Sequence, residues 1–155
     1  MRKAVLVLIL MVSLSVVACS PQADIECPTT LPNGRTPPGE TANQQHYGNG
    51  ELFTALWPGG VLTFHPSGPG EIRPDGSLAM KFPWWRGEGI RGSIEVSGTR
   101  LDRRGSGVTA EMPAGYGDTG FQASALVFPS EGCWEVTARV GDAELTFIVE
   151  VVSTE

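Results

Sequence analysis

The residues able to do chemistry in this chain are few and scattered. His46 and His65 lie in or beside Gly/Pro-rich turns, and the sequence places no serine or carboxylate as a partner for either. Neither G-x-S-x-G, H-E-x-x-H nor C-x-x-C occurs. Gly87-Glu88-Gly89-Ile90-Arg91-Gly92 and Gly115-Tyr116-Gly117-Asp118-Thr119-Gly120 both match G-x-G-x-x-G. A dinucleotide site needs a helix amino terminus behind those glycines, so that amides and dipole meet the pyrophosphate. Both matches run into strand-like sequence instead and read as turns. No catalytic residue and no cofactor is therefore expected, with a small hydrolase assembled from distant residues as the alternative. A copper site built from His46, His65, Met80 and Met112 is a second alternative, since imidazole and thioether suit that metal. Both methionines fall on apolar faces, where core filling is their ordinary use, so the expectation for metal is none. What remains is aromatic: Trp57, and Trp85 beside Arg86, the residue types that stack on a sugar ring or anchor a protein interface.

Whether those side chains are usable depends on the elements that carry them. Residues 77–84 alternate, with Leu78, Met80, Phe82 and Trp84 on one face and Ser77, Ala79 and Lys81 on the other. A period of two is that of a strand, so Trp84 points inward and Trp85 outward. The competing expectation is that Pro83 bends the strand and folds Trp85 over the sandwich edge. Similar short runs cover 51–57, 61–65, 90–97, 108–112, 121–128, 133–140 and 144–152, separated by Gly, Pro, Asn and Asp at intervals of about ten residues. The last two are the strongest, with Trp134, Val136, Ala138 and Val140, then Leu145, Phe147, Val149 and Val151 inward, and a hairpin turn at Gly141-Asp142-Ala143. Glu144 and Glu150 fall on the outer face of the last run, where solvation accounts for them.

With 20 glycines and 12 prolines in 155 residues, none of them before Cys19, long helices are excluded from the body of the chain. The expectation is an all-β, immunoglobulin-like β-sandwich of about seven or eight strands over residues 46–155, with a small barrel as alternative.

The amino-terminal residues carry an address. Arg2-Lys3 precede an apolar run from Ala4 to Ala18, which is shorter than the ~20 residues that span a bilayer and has the layout of a signal peptide. The ending Val16-Val17-Ala18-Cys19 resembles the lipobox of bacterial lipoproteins. That resemblance implies cleavage after residue 18, diacylation of the Cys19 thiol and stable anchoring, since each buried methylene contributes about 0.8 kcal/mol. Residues 19–45 then read as a lipidated linker and Pro-rich lead-in. Setting Cys19 aside leaves Cys27 and Cys133, an even pair in an oxidising compartment, for which a disulfide is expected.

The run Glu131 to Ala138 with Gly141-Asp142 and Leu145-Thr146-Phe147 resembles the closing hairpin of immunoglobulin-like domains in secreted bacterial proteins. Together with residues 81–86 and 120–124, it is similar to a group of poorly characterised bacterial lipoproteins. This resemblance implies a fold and an extracytoplasmic, cell-envelope location rather than an activity. It departs from antibody domains, because Cys133-Trp134 is not their Cys, Trp, Cys spacing.

The formal net charge of −6 argues against nucleic acid, and the densest basic run, Arg100, Arg103 and Arg104 around Asp102, reads as a solvated turn. The expected function is a non-catalytic binding or envelope-interaction module. Its partners are the membrane, through the lipid, and an envelope protein or glycan.

Overall fold

A computed structural model describes residues 26–154. Cys19, the leader expected over 1–18 and the first residues of the lead-in lie outside the described residues. Two packed sheets make a β-sandwich. The first has the order β1 (His46–Gly48), β2 (Leu52–Ala55), β5 (Leu78–Arg86), β8 (Phe121–Phe128), β7 (Thr109–Glu111), with β4 (Glu71–Ile72) also pairing β5. The second has the order β3 (Val61–Phe64), β10 (Ala143–Ser153), β9 (Gly132–Val140), β6 (Glu95–Arg100). All pairings are antiparallel except β3 with β10.

Alternation decides what is buried. Leu78, Met80, Phe82 and Trp84 of β5 face Trp134, Val136, Ala138 and Val140 of β9 and Leu145, Phe147, Val149 and Val151 of β10, and all twelve are buried. Phe82 stacks on Phe147 across the sheets at 5.8 Å between ring centroids, and on Trp84 along its own strand at 5.9 Å. The Trp84 indole N–H, which burial cuts off from water, donates to Ser124 Oγ at 2.8 Å. A two-residue turn, Gly141-Asp142, joins β9 to β10, and Gly141 takes the positive φ of 57° that such a turn needs.

Four elements differ from the sequence reading. The run 90–97 is not a strand along its length: β6 begins only at Glu95, and Gly89 and Gly92 turn the preceding segment with φ of 80° and 132°. The strands His46–Gly48 and Glu71–Ile72 go unmarked by periodicity, because three and two residues are too short to show a period. Met112 lies beyond β7, whose last residue is Glu111.

The lead-in has no strand or helix among its described residues, 26–45, yet it is fastened along its length. Thr30 N–H donates to Ile148 O and Ile148 N–H to Thr30 Oγ1, both at 2.8 Å, completing the edge of β10 ahead of Glu150, where its pairing with β3 starts. Cys27 and Cys133 are joined by a disulfide. Cys133 precedes inward Trp134, so the bridge lies on the outer face of the second sheet and ties it to the lead-in rather than to the first sheet.

Candidate functional site

The aromatic candidates occupy three different environments. Trp57 is half-buried, its ring 5.0 Å from that of Phe82, and it seals one edge of the core. Trp85 does stand in the outward register, opposite Phe53 on β2 and Phe121 on β8, but only 9% of it is exposed. Pro83 stays paired within β5 opposite Ala123, so the strand is not broken there. Trp85 is covered instead by the lead-in and the start of β1: its indole N–H donates to Glu40 Oε1 at 3.0 Å, and His46 packs edge-on at 5.6 Å. An exposed Trp85–Arg86 platform is therefore absent. The reason is that a segment some forty residues upstream in sequence lies over it.

Arg86 follows Trp85 and turns inward, with 2% of its surface exposed. Its guanidinium is the meeting point of the two G-x-G-x-x-G segments. Nε donates to Gly92 O at 2.8 Å, one terminal nitrogen to Gly120 O at 3.2 Å and the other to Gln122 Oε1 at 2.6 Å. The loops are also bonded to each other, Gly92 N–H to Asp118 O at 2.8 Å, with Arg91 and Asp118 pairing at the surface. Burial pushes the Arg86 pKa below the ordinary guanidinium range, and the more distant charge of Asp118 works against that. Both glycine-rich segments are turns, and what they bind is this arginine.

Clamping those loops fixes a surface that sequence reading missed. Phe121 opens β8 on the outer face, 43% exposed, with its ring 5.3 Å from Trp85. Tyr116, in the second loop, meets Phe121 edge-on at 5.8 Å and is 40% exposed. A row of rings thus runs from buried His46 through Trp85 and Phe121 to Tyr116. It ends at a groove of about 390 Å³ lined by Lys81, Glu111, Met112, Tyr116, Ala123 and Ala125. Alanines form the floor because outward β8 positions opposite β5 carry small side chains. Glu111 is held by Arg73 through two hydrogen bonds, at 2.8 and 2.9 Å, which keep its carboxyl below the usual carboxylate range. Lys81 makes no ion pair among the described residues, leaving the groove one uncommitted cation. The signal in the sequence was an aromatic residue in a glycine-rich loop followed by another at the outward end of a strand.

The four residues of the copper alternative are not brought together. His46 lies on the outer face of the first sheet and Met80 on its inner face, His65 borders a separate surface hollow with Gly70 and Ile72, and Met112 accepts a contact from Gln122 Nε2 at 3.6 Å. Among the described residues no three His, Cys, Asp or Glu side chains cluster as metal ligands. Glu144 pairs with Arg139 on the outer face of the second sheet.

His46 is 5% exposed and its Nδ1 has no hydrogen-bond partner among the described residues. An unpaired buried acceptor or donor costs about 1–3 kcal/mol, whereas a ring of similar shape without it does not. His46→Phe is expected to raise stability by about 1 kcal/mol, seen as a rise of roughly 3 °C in the thermal midpoint. A lower midpoint would mean that the imidazole is bonded after all.

The chain matches no protein family profile, and neither a curated protein nor a solved structure shows significant similarity to it.

Proposed function

We propose that this chain is a lipid-anchored, extracytoplasmic binding module of the bacterial cell envelope, without catalysis, that holds an acidic envelope glycan against the outer face of its first sheet. The single observation that carries the binding role is the groove: two half-exposed rings, Tyr116 and Phe121, beside an apolar floor and the unpaired Lys81 ammonium. Aromatic faces suit sugar rings, and a lone cation beside a satisfied carboxylate suits a sugar that carries negative charge. The volume falls in the range of small-ligand sites, which is about 300–1,000 Å³.

Several features support the rest of the reading. The disulfide is compatible with an oxidising compartment, and the lipobox-like Val16-Val17-Ala18-Cys19 supplies the anchor. The order β2-β5-β8-β7 facing β3-β10-β9-β6, with β3 parallel to the last strand, supports an immunoglobulin-like topology. The placement is consistent with the role. The groove lies toward the end where Gly92 and Gly120 meet Arg86, while Cys27 is bridged to Cys133 at the other end of β9, so an anchored chain presents the groove away from the bilayer.

Two measurements test the proposal. Mass spectrometry of the mature amino terminus should find acylated Cys19, and an unmodified thiol there removes the anchor. Retention on envelope polysaccharide should fall about two- to tenfold in Tyr116→Ala, in line with about 0.5–1.5 kcal/mol for an aromatic contact, and similarly in Lys81→Gln. Retention unchanged in both variants rules out the groove as the site.

A further inference from the structure

The basic run that reads as a solvated turn is a built pocket in three dimensions. Residues 101–108 connect β6 to β7 at the end of the sandwich where β9 begins, and Leu101 N–H donates to Cys133 O at 2.9 Å. The loop and the segment Pro129-Ser130 enclose a pocket of about 190 Å³, lined by Arg100, Arg103, Arg104, Ser106, Ser130 and Trp134 among others. Arg100 is its scaffold. Its guanidinium lies over the Trp134 ring at 5.2 Å, and one terminal nitrogen donates to Ser130 Oγ at 2.6 Å. Its other two nitrogens hold both oxygens of Asp102, whose carboxyl is pushed down by that contact. The carboxylate nearest the pocket in sequence is therefore already satisfied. The next, Glu131, accepts from Ser153 N–H instead.

What is left facing the pocket is positive and rich in donors. Arg103 and Arg104 are exposed and make no ion pair among the described residues. Ser130 Oγ accepts from Arg100, and from Arg103 at 3.4 Å, so its own proton is free to donate outward. Two guanidiniums with hydroxyls from two segments form the donor set that a phosphate oxyanion takes. Beside them Leu101, the first residue of the same loop, is 42% exposed.

We infer that this pocket binds the phosphate of an anionic phospholipid headgroup at the surface of the bilayer to which the chain is tethered, with Leu101 entering the acyl boundary beside it. This rests on the lipid-anchored reading above. Cys27, bridged to Cys133, is eight residues from Cys19, a covalent reach of at most about 28 Å. The anchor therefore keeps this end of the domain within that distance of the headgroups. An exposed leucine next to two free arginines is the pairing of an interfacial contact, whereas a soluble phosphate has no use for the leucine. The net acidity of the chain does not oppose this, since beyond about a Debye length of 10 Å its other charges are screened.

The test uses the full chain with Cys19→Ser, which cannot take a thioether-linked lipid, so it does not depend on acylation. Flotation with vesicles of phosphatidylcholine alone is compared with vesicles in which a third of the lipid is phosphatidylglycerol. The apolar leader is common to every arm. The chain is expected to prefer the anionic vesicles, and R103Q/R104Q to reduce that preference about 30-fold, which corresponds to about 1 kcal/mol for each basic side chain at the surface. Leu101→Ser should weaken binding to the anionic vesicles several-fold without touching charge. In parallel, inorganic phosphate is titrated while the Gly105 and Ser106 amide resonances are followed. Shifts that R103Q/R104Q abolishes, without any vesicle preference, would reassign the pocket to a soluble phosphate and overturn the headgroup. A vesicle preference that the double variant leaves intact would overturn the site. Because both arginines are exposed, the variants are expected to keep the near-UV spectrum of the parent. An unmodified Cys19 in the mature protein would remove the anchor while leaving this binding result standing, so the two failures are distinguishable.

Discussion

Replacing both Cys27 and Cys133 by alanine is expected to lower the unfolding free energy by about 4–5 kcal/mol. The bridge joins residues 106 apart in sequence, so it closes a loop that contains β1 to β8, with β9 and β10 following it, and removes much of the freedom of the unfolded chain. Domains of this kind have a total stability of about 5–15 kcal/mol, so the variant is left near the threshold of folding at growth temperature. Replacing both cysteines avoids a stray thiol and leaves the twelve facing core residues of β5, β9 and β10 untouched. Urea unfolding of parent and variant measures the effect as a shift of midpoint at similar slope. Hydrogen exchange should locate it first at the Thr30 and Ile148 amides, which the bridged lead-in holds against β10. A midpoint that does not move on reduction or on substitution would mean that the lead-in's hydrogen bonds alone suffice.

Arg86→Met is expected to cost about 2–4 kcal/mol and to loosen the groove as well. Methionine fills comparable space but donates nothing, so buried Gln122 Oε1 and part-buried Gly92 O lose their guanidinium partner. Each such orphan costs about 1–3 kcal/mol, while relief from desolvating the cation returns part of that. Gly120 O retains the Arg86 backbone N–H at 3.1 Å, so it is spared. The distinguishing readout is local. Amides of residues 87–94 and 115–120 should exchange faster, and polysaccharide retention should fall although Tyr116 and Phe121 are unchanged. Arg86→Lys should recover little, because one ammonium on a flexible stem does not reach three acceptors arranged for a planar fork. Full stability in Arg86→Met would mean that the two loops hold each other without the arginine.

How far the site was legible follows from the range of each interaction. The faces of β5, β9 and β10 were readable because side chains alternate every residue, so a strand of eight or more displays its own register. The stretch 90–97 misled for the same reason: Ile90, Gly92, Ile94 and Val96 alternate in sequence, but Gly89 and Gly92 turn the backbone, and Arg86 holds that turn. Trp85 was placed on the correct face with its exposure left open between a free platform and burial at the sandwich edge, since register gives direction and says nothing of what lies opposite. Tyr116 and Phe121 were passed over because their loop looked like punctuation, and Arg103 and Arg104 because a net count of charge hides where each carboxylate is already engaged.

The chain by itself determined the all-β character and the inward faces of its longest strands, and, with Cys19 set aside as the expected lipidation site, it made Cys27–Cys133 the expected bridge. Each of these is set by a local period, by composition or by parity. Tertiary structure alone decided that Glu40 and His46 cover Trp85, that two glycine loops close on Arg86, and that the groove lies on the outer face of the first sheet while the arginine pocket lies at the end where β9 begins. Those contacts join residues far apart along the chain, and the energy that selects them comes from satisfying buried donors and acceptors after the sheets have packed, which no window of neighbouring residues encodes.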